Sequence, residues 1–273
     1  MRPFVSMLVL VASATLPAAA EAGSCRASSS DETVALVELY TSQGCSSCPP
    51  ADRWLAALPA EFGADRAIPL SLHVGYWDAI GWKDPFARPE FSERQRRLAA
   101  RAVSGRVYTP EVFVGGAELA QWRTDAAFRG AVEAVHVRRA PLRIDVDVRT
   151  QPEALEVSAR VAELAAGRVE PEVVLVLKQH GHLTDVRAGE NRGVQLANDH
   201  VVRHWVTAPA GGERSVTIPL PKDGPRRFEL VAFAQDRRSG AILQAMALPL
   251  ERCDGRPGAA VPAEGGNELA ARE

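Results

Sequence analysis

The sequence has only four cysteines among its 273 residues, and they do not supply two pairs of metal ligands. Cys45 and Cys48 form a C-x-x-C motif, whereas Cys25 and Cys253 each stand alone. A four-ligand zinc site needs a second ligand pair at a matching spacing, so the sequence disfavours zinc and we predict no metal centre. The main interpretation of Cys45 and Cys48 is a redox-active pair; the alternatives are an inert structural disulfide and a metal site.

Net charge of one sign and long apolar runs are also scarce. The formal net charge is −2 and no basic stripe appears, so we do not expect nucleic acid as a partner. The apolar run at residues 4–16 is shorter than the roughly 20 residues that span a bilayer, and no later segment qualifies. We therefore expect no membrane span.

The first 22 residues have the pattern of a secretory signal. Arg2 precedes the apolar run, small residues follow it, and residues 20–22 form an A-x-A cleavage pattern that ends at Ala22. We predict a signal peptide over residues 1–22 and a periplasmic or secreted protein, in a compartment where disulfides persist. The alternative is a lipoprotein acylated at Cys25, although the usual leucine three positions upstream is missing.

The C-x-x-C motif lies between an apolar strand pattern at residues 34–40 and a helical pattern. The prolines at 49–50 fit a first helical turn, and Gly63 fits the end of the helix. A thiol at a helix N-terminus meets the positive end of the dipole and unpaired N–H groups, which favour the thiolate. The thiolate attacks disulfides, so we predict Cys45 as nucleophile and Cys48 as resolving thiol of a thiol–disulfide oxidoreductase.

The order of elements in the first half of the chain is typical of a thioredoxin-like domain. A strand pattern at residues 68–74 follows the helix, Thr109-Pro110 precedes another at 111–114, and Thr124 fits the start of a last helix. The Thr-Pro segment resembles the cis-proline segment of glutaredoxins, which faces the active-site disulfide. We therefore predict that Pro110 presents its preceding backbone to the substrate, with Thr109 beside it. The alternative is an ordinary trans proline that starts a strand.

Residues 75–106 read as an insertion into that domain. Its rear part has a helical pattern whose arginines point mostly outward. Its front part is aromatic, and the aromatic side chains either line a substrate groove, with Tyr76 and Trp77 as candidates, or form a small core that holds the insertion. The aromatic residues are Tyr76, Trp77, Trp82 and Phe86, and the arginines are Arg94, Arg96, Arg97 and Arg101.

From residue 142 the hydrophobic period changes to two, and about seven short strand patterns follow, which is typical of a β-sandwich. The predicted fold class is therefore an α/β thioredoxin-like domain with a helical and aromatic insertion, followed by an all-β sandwich-like domain. We predict the first domain over residues 23–140 and the second over 141–253. A disordered tail, rich in Gly, Pro, Ala and Glu, is predicted over 254–273.

The two isolated cysteines flank the two predicted domains. Cys25 precedes the first strand pattern of domain one and Cys253 follows the last strand pattern of domain two. A secreted chain seldom leaves two thiols unpaired. We therefore predict a structural disulfide between Cys25 and Cys253 that ties the domains together.

His73 ends the strand pattern that we expect beside the motif. With Cys45 and Cys48 it could bind copper, as in Sco-like proteins; equally, it could tune Cys45 or be a buried, hydrogen-bonded histidine. Four further histidines lie in or beside predicted loops and could in principle converge on a metal ion, but such histidines are more often surface or hydrogen-bonded residues than ligands. This second group comprises His180, His182, His200 and His204.

Five longer motifs resemble the secreted thioredoxin-like family known as domain of unknown function 1223. They lie at residues 38–52, 73–78, 81–86, 106–110 and 189–193, so the likeness spans nearly the whole mature chain. The resemblance implies a thioredoxin-like fold and a redox motif. We expect an exported oxidoreductase without a cofactor that acts on protein thiols or disulfides. The alternative functions are a copper-binding chaperone and a non-catalytic, partner-binding protein on the same fold.

Overall fold

Strands make up most of the regular structure of the chain. A computed structural model describes residues 23–164, 169–209 and 213–253. The predicted signal peptide and the predicted tail lie outside the described residues. The strands are β1 (Ser24–Ser28), β2 (Ala35–Thr41), β3 (Ala67–His73), β4 (Glu111–Val114), β5 (Ala117–Glu118), β6 (Leu142–Thr150), β7 (Ala154–Glu163), β8 (Pro171–Gln179), β9 (His182–Asp185), β10 (Gln195–Asn198), β11 (Val201–Pro209), β12 (Glu213–Pro219), β13 (Phe228–Asp236) and β14 (Ile242–Pro249).

The largest sheet has eight strands in the order β14-β13-β8-β11-β3-β2-β4-β5. Near its centre, β2 pairs in parallel with β3 and antiparallel with β4. The sheet continues past β3 because β11 pairs with it in parallel, with Val201 opposite Ser71. The Ser71 N–H donates to the His200 carbonyl across this junction, at 2.9 Å. Strands from both halves of the chain thus form one sheet.

This arrangement contradicts the predicted fold class. The chain is not an α/β thioredoxin-like domain with a helical insertion followed by a separate sandwich; it is mostly β, with a large sheet that crosses from one half to the other. The physical reason is the edge of β3, whose backbone N–H and C=O groups pair with β11 instead of ending the sheet. The boundary between residues 140 and 141 stays a prediction.

Three helices cover the two faces of the eight-stranded sheet: α1 (Pro49–Phe62), α2 (Pro89–Ala99) and α3 (Asp125–His136). On one face, α1 and α3 pack on alternate residues of β2, such as Val37 and Leu39. On the other face, Phe91 and Leu98 of α2 join a cluster to which both halves of the chain contribute. Within the described residues, no helix is both long and apolar enough to cross a membrane.

A second sheet of four strands, in the order β1-β6-β7-β12, completes a sandwich. Its alternating apolar residues pack against those of β8, β13 and β14. Cys25 lies in β1, opposite Val148 of β6, and Cys253 ends a short 3-10 helix, Leu250–Cys253, that follows β14. The two cysteines are bonded, with their Cα atoms 4.8 Å apart. Because β1 belongs to the second sheet, this disulfide joins the two sheets of the sandwich.

Candidate functional site

The C-x-x-C motif occupies the loop between the end of β2 and the start of α1, as the sequence predicts. Cys48 is the N-cap of α1, and two prolines form the first turn. Cys45 and Cys48 form a disulfide with a Cα–Cα distance of 5.5 Å. The Ala51 and Asp52 N–H groups both donate to the Cys48 carbonyl, at 2.8 and 3.1 Å. The motif is therefore fixed between a buried central strand and a helix.

Both cysteines of the motif are fully buried, and a loop from the second half of the chain hydrogen-bonds to the backbone on either side of Cys45. The Asn191 side-chain amide donates to the carbonyls of Gln43 and Cys45, each at 2.9 Å. The Ser46 N–H donates to the Glu190 carboxylate at 2.9 Å. This backbone hydrogen bond lowers the pKa of Glu190.

Trp77 connects the motif to the Thr-Pro segment. A Cβ added at Gly44 would lie 3.3 Å from the Trp77 Cβ, so the base of the Trp77 side chain lies directly against the C-x-x-C loop. The indole N–H donates to the Thr109 hydroxyl at 2.7 Å. The Thr109–Pro110 peptide bond is cis, and Pro110 is buried. Of the predicted substrate-binding residues, Tyr76 is 42% exposed and Trp77 is half-buried.

The other two aromatic residues of the segment serve as supports. Trp82 donates its indole N–H to the side-chain carbonyl of Gln43 at 3.1 Å. Phe86 is buried between the rings of His73 and His182, with ring centroids 5.3 and 4.8 Å away. Trp82 and Phe86 therefore belong to a small core beside the motif, whereas a substrate groove lined by Tyr76 and Trp77 stays a prediction.

His73 is buried behind the motif and paired with Asp84. Its Nδ1 lies 2.7 Å from the Asp84 carboxylate, which also accepts the Gln43 N–H at 2.8 Å. Burial alone lowers the pKa of His73, but the Asp84 charge and hydrogen bond outweigh it, so the pKa is raised. Burial alone raises the pKa of Asp84, but His73 and the backbone donors leave that pKa lowered. The pair thus favours an imidazolium facing a carboxylate.

Asp52 adds a third ionisable group to this buried region. It lies four residues after Cys48, one turn further along the same face of α1. Thr41 and His73 are register partners in β2 and β3, so their side chains emerge on one face of the sheet. Burial raises the pKa of Asp52 to about 6, although the His73 charge opposes the rise.

Three polar atoms in this region are buried without a hydrogen-bond partner among the described residues. They are Thr41 Oγ1, Asp52 Oδ1 and His73 Nε2. Buried polar atoms are almost always paired, so such a group beside a disulfide calls for a functional explanation. A copper ion held by Cys45, Cys48 and His73 could use only Nε2 of the imidazole, since Nδ1 contacts Asp84. The copper alternative stays a prediction.

The second-half histidines do not form one group. His180 and His200 pack with ring centroids 4.7 Å apart, and with Glu229 they offer ligand atoms within 4.8 Å of one another. The Lys178 ammonium already lies 2.6 Å from the Glu229 carboxylate. Burial raises the pKa of Glu229, but Lys178 and His180 outweigh it and lower that pKa to about 2. We interpret this cluster as an ion-paired polar group within the sheet.

Several residues that meet at the motif have no role predicted from the sequence. Asp52, Asp84, Glu190 and Asn191 all lie inside the motifs that resemble the family. The position of Asp52 four residues after Cys48 is a usable signal, because that spacing places both on one helix face. Nothing in the local pattern of residues 189–193 indicates that they cover the motif.

Comparisons with known proteins extend over most of this structure. The family model described as protein of unknown function (DUF1223) matches residues 36–235. Among curated proteins, none matches the chain. The crystal structure of protein AGR_C_4864 from Agrobacterium tumefaciens is similar, with 26% identity over 80% of this chain and 96% of that chain and a TM-score of 0.54.

A second solved structure, HBP35 of Porphyromonas gingivalis, shares 13% identity over 89% of this chain and 81% of that chain, with a TM-score of 0.55. At that identity the likeness concerns the fold alone. The family match extends from the strand before the C-x-x-C motif into β13 and so includes the whole candidate site. The chain therefore belongs to the family of unknown function DUF1223.

Proposed function

We propose that the protein is an exported thiol–disulfide oxidoreductase that exchanges its Cys45–Cys48 disulfide with protein thiols and disulfides. The observation that carries the proposal is the C-x-x-C disulfide at the N-cap of α1, backed by a partly buried carboxyl group one helical turn away, whose Oδ1 is shielded from solvent. A disulfide with a purely structural role needs no unpartnered ionisable groups behind it. Thiol exchange does use a proton acceptor, because each attacking thiol must be deprotonated before it reacts.

The exchange moves two electrons through one mixed disulfide. In the reducing direction, the Cys45 thiolate attacks a substrate disulfide, which forms a Cys45–substrate bond and releases one substrate thiolate. The Cys48 thiol then loses its proton and attacks Cys45 Sγ. The Cys45–Cys48 bond forms, the second substrate sulfur leaves as a thiolate, and the substrate is reduced by two electrons. The oxidising direction is the reverse of these steps.

Asp52 is the group we assign to accept the Cys48 proton. Its carboxyl is one turn from Cys48, carries an unpartnered oxygen, and has a pKa raised to about 6 by burial. A base whose pKa lies near the working pH is effective, because it is ionised yet retains affinity for the proton. Asp84 raises the pKa of His73 and so favours the imidazolium, whose charge limits the rise in the pKa of Asp52.

Asp52→Asn is expected to slow the second step and to stabilise the fold. In the wild type, the rate of release of the second substrate thiol should increase with pH through about 6, as Asp52 ionises. The variant lacks the base, so we expect this rate to fall about a hundredfold and to lose that inflection. Stopped-flow measurement with a disulfide-bonded peptide, from pH 5 to about 8, tests both effects.

The stability effect has a defined sign. The folded pKa of Asp52, about 6, exceeds its ordinary value of 3.8, so the unfolded chain loses this proton first and the wild type loses stability as the pH rises between those values. The variant avoids that loss. Between pH 4 and pH 7, urea unfolding should therefore show a free energy of unfolding about 1–3 kcal/mol higher for the variant than for the wild type. Asp65→Asn, at an exposed position after α1, is the matched control. An Asp52→Asn variant with wild-type rates at every pH removes Asp52 from the mechanism.

A further inference from the structure

The buried state of the disulfide raises a question that the exchange reaction does not answer. Cys45 and Cys48 each have no exposed surface. A sulfur nucleophile must approach along the S–S axis, and a fully covered disulfide offers no such path. Exchange with a polypeptide therefore requires some part of the cover to move.

The segment from the second half of the chain that lies on the motif is the tip of the β9–β10 hairpin, residues 189–193, which hydrogen-bonds to the backbone of residues 43–46. Val186 and Val194 close the hairpin with a backbone hydrogen bond of 3.0 Å, and the Gly193 N–H donates to the Val186 carbonyl at 2.8 Å. Gly189 has a φ of +72°, and a Cβ there would lie 3.1 Å from the Trp82 Cβ. The tip is thus a tight turn packed against Trp82 by a conformation and a contact that favour glycine.

The tip engages main-chain groups on both sides of Cys45. Asn191, itself buried, donates to the Gln43 and Cys45 carbonyls, and Glu190 accepts from the Ser46 N–H. Two carbonyls and one N–H around a reactive cysteine are the groups that an extended polypeptide would use to bind there. In this structure, side chains of the same molecule occupy all three.

We propose that the hairpin tip occupies the binding position of a cysteine-containing polypeptide segment and must be displaced before the disulfide reacts. The proposal rests on the proposed function. It identifies the substrate as a cysteine-containing polypeptide and the hairpin tip as the gate, the element that controls access to the disulfide. Asn191 and Glu190 hold the tip closed, and a substrate segment replaces their three hydrogen bonds with its own main-chain groups. The remainder of the hairpin stays paired, so the displacement is local.

Rates of disulfide reduction in matched variants test the gate. Asn191→Ala removes two hydrogen bonds to the motif, and we expect the Cys45–Cys48 disulfide to be reduced about tenfold faster by dithiothreitol. Glu190→Gln keeps the shape of the side chain but loses its charge, and a smaller acceleration of a few-fold is expected. Arg192→Ala, at an exposed position of the same tip, is the control and should react like the wild type. Alkylation at fixed times, followed by mass spectrometry, gives the rates.

The outcomes separate the gate from the proposed function. Equal reduction rates in the wild type, Asn191→Ala and Glu190→Gln overturn the gate, and they leave the oxidoreductase proposal intact if a dithiol peptide still exchanges. If Asn191→Ala and Glu190→Gln are reduced faster by dithiothreitol but exchange with no dithiol peptide, the result supports the hairpin tip as the gate and counts against the proposed function. If Asn191→Ala fails to fold, the rate for Glu190→Gln decides, because its substitution lies at an exposed position.

Discussion

Cys45→Ser is expected to lower the rate of exchange with a disulfide-bonded peptide by several orders of magnitude. Cys45 is the nucleophile of the proposed reaction, and loss of an enzyme's nucleophile removes nearly all of its rate enhancement. The fold should persist, because the Cys45–Cys48 disulfide closes a loop of only a few residues and such a loop adds little stability. The measurement is release of the peptide thiols, followed by a thiol-reactive dye.

Cys48→Ala provides the matched comparison for that result. This variant keeps the attacking thiol and lacks only the resolving one, so it should complete the first step and stop at the mixed disulfide. Circular dichroism and thermal unfolding establish that both variants are folded. A Cys45→Ser variant that exchanges at the wild-type rate assigns the chemistry to another group and refutes the site.

Arg94→Met is expected to destabilise the protein by about 3–5 kcal/mol, because it leaves a buried carboxylate without its partner. The Arg94 guanidinium donates to both oxygens of Glu38, at 2.6 and 3.0 Å, and to Gln235 at 2.8 Å. The Glu38 side chain has no exposure and that of Arg94 is 7% exposed. The guanidinium also lies 4.7 Å from the centre of the Trp205 ring. The ion pair thus fastens α2 to strands from both halves of the sheet.

A double variant separates the charge from the packing. In Glu38→Leu/Arg94→Leu both charges are gone, and apolar replacement of a buried pair is often close to neutral. We therefore expect the double variant to regain most of the stability lost by Arg94→Met. Arg97→Met, whose side chain is 60% exposed on the same helix, is the control. Urea unfolding monitored by tryptophan fluorescence provides the free energies; a loss below about 1 kcal/mol in Arg94→Met contradicts the role of the pair.

The parts of the structure that the sequence predicts well depend on local signals. A strand, a C-x-x-C motif and a proline-started helix follow one another in the chain, and each has its own residue pattern. The pairing of Cys25 with Cys253 follows from elimination, since no other partner remains for either cysteine. The cis bond before Pro110 agrees with the resemblance of that segment to glutaredoxins. None of these inferences needs the overall topology.

The predicted fold class is wrong because the pairing of strands that are far apart in the chain leaves no periodic signal in the sequence. Residues 201–209 have a strand pattern, but nothing in it indicates that Val201 pairs with β3 rather than with a strand of a separate domain. The burial of Arg94 is also a consequence of contacts between distant segments, which the local sequence pattern does not indicate. An arginine on a helix is usually solvated, and only the buried Glu38 opposite it reverses that expectation. The cover of the disulfide by Asn191 is likewise a contact between segments far apart in sequence.

The central claim is that Cys45 exchanges with a polypeptide disulfide and that Cys48 completes the reaction. The most direct test mixes reduced Cys48→Ala with a peptide that contains one disulfide, quenches with acid, and locates adducts by mass spectrometry. The account predicts a single mixed disulfide at Cys45, absent from Cys45→Ser and only transient in the wild type, where the peptide leaves as a dithiol and Cys45–Cys48 forms. The absence of any adduct at Cys45, with the variant folded and its thiol reduced, would contradict the account.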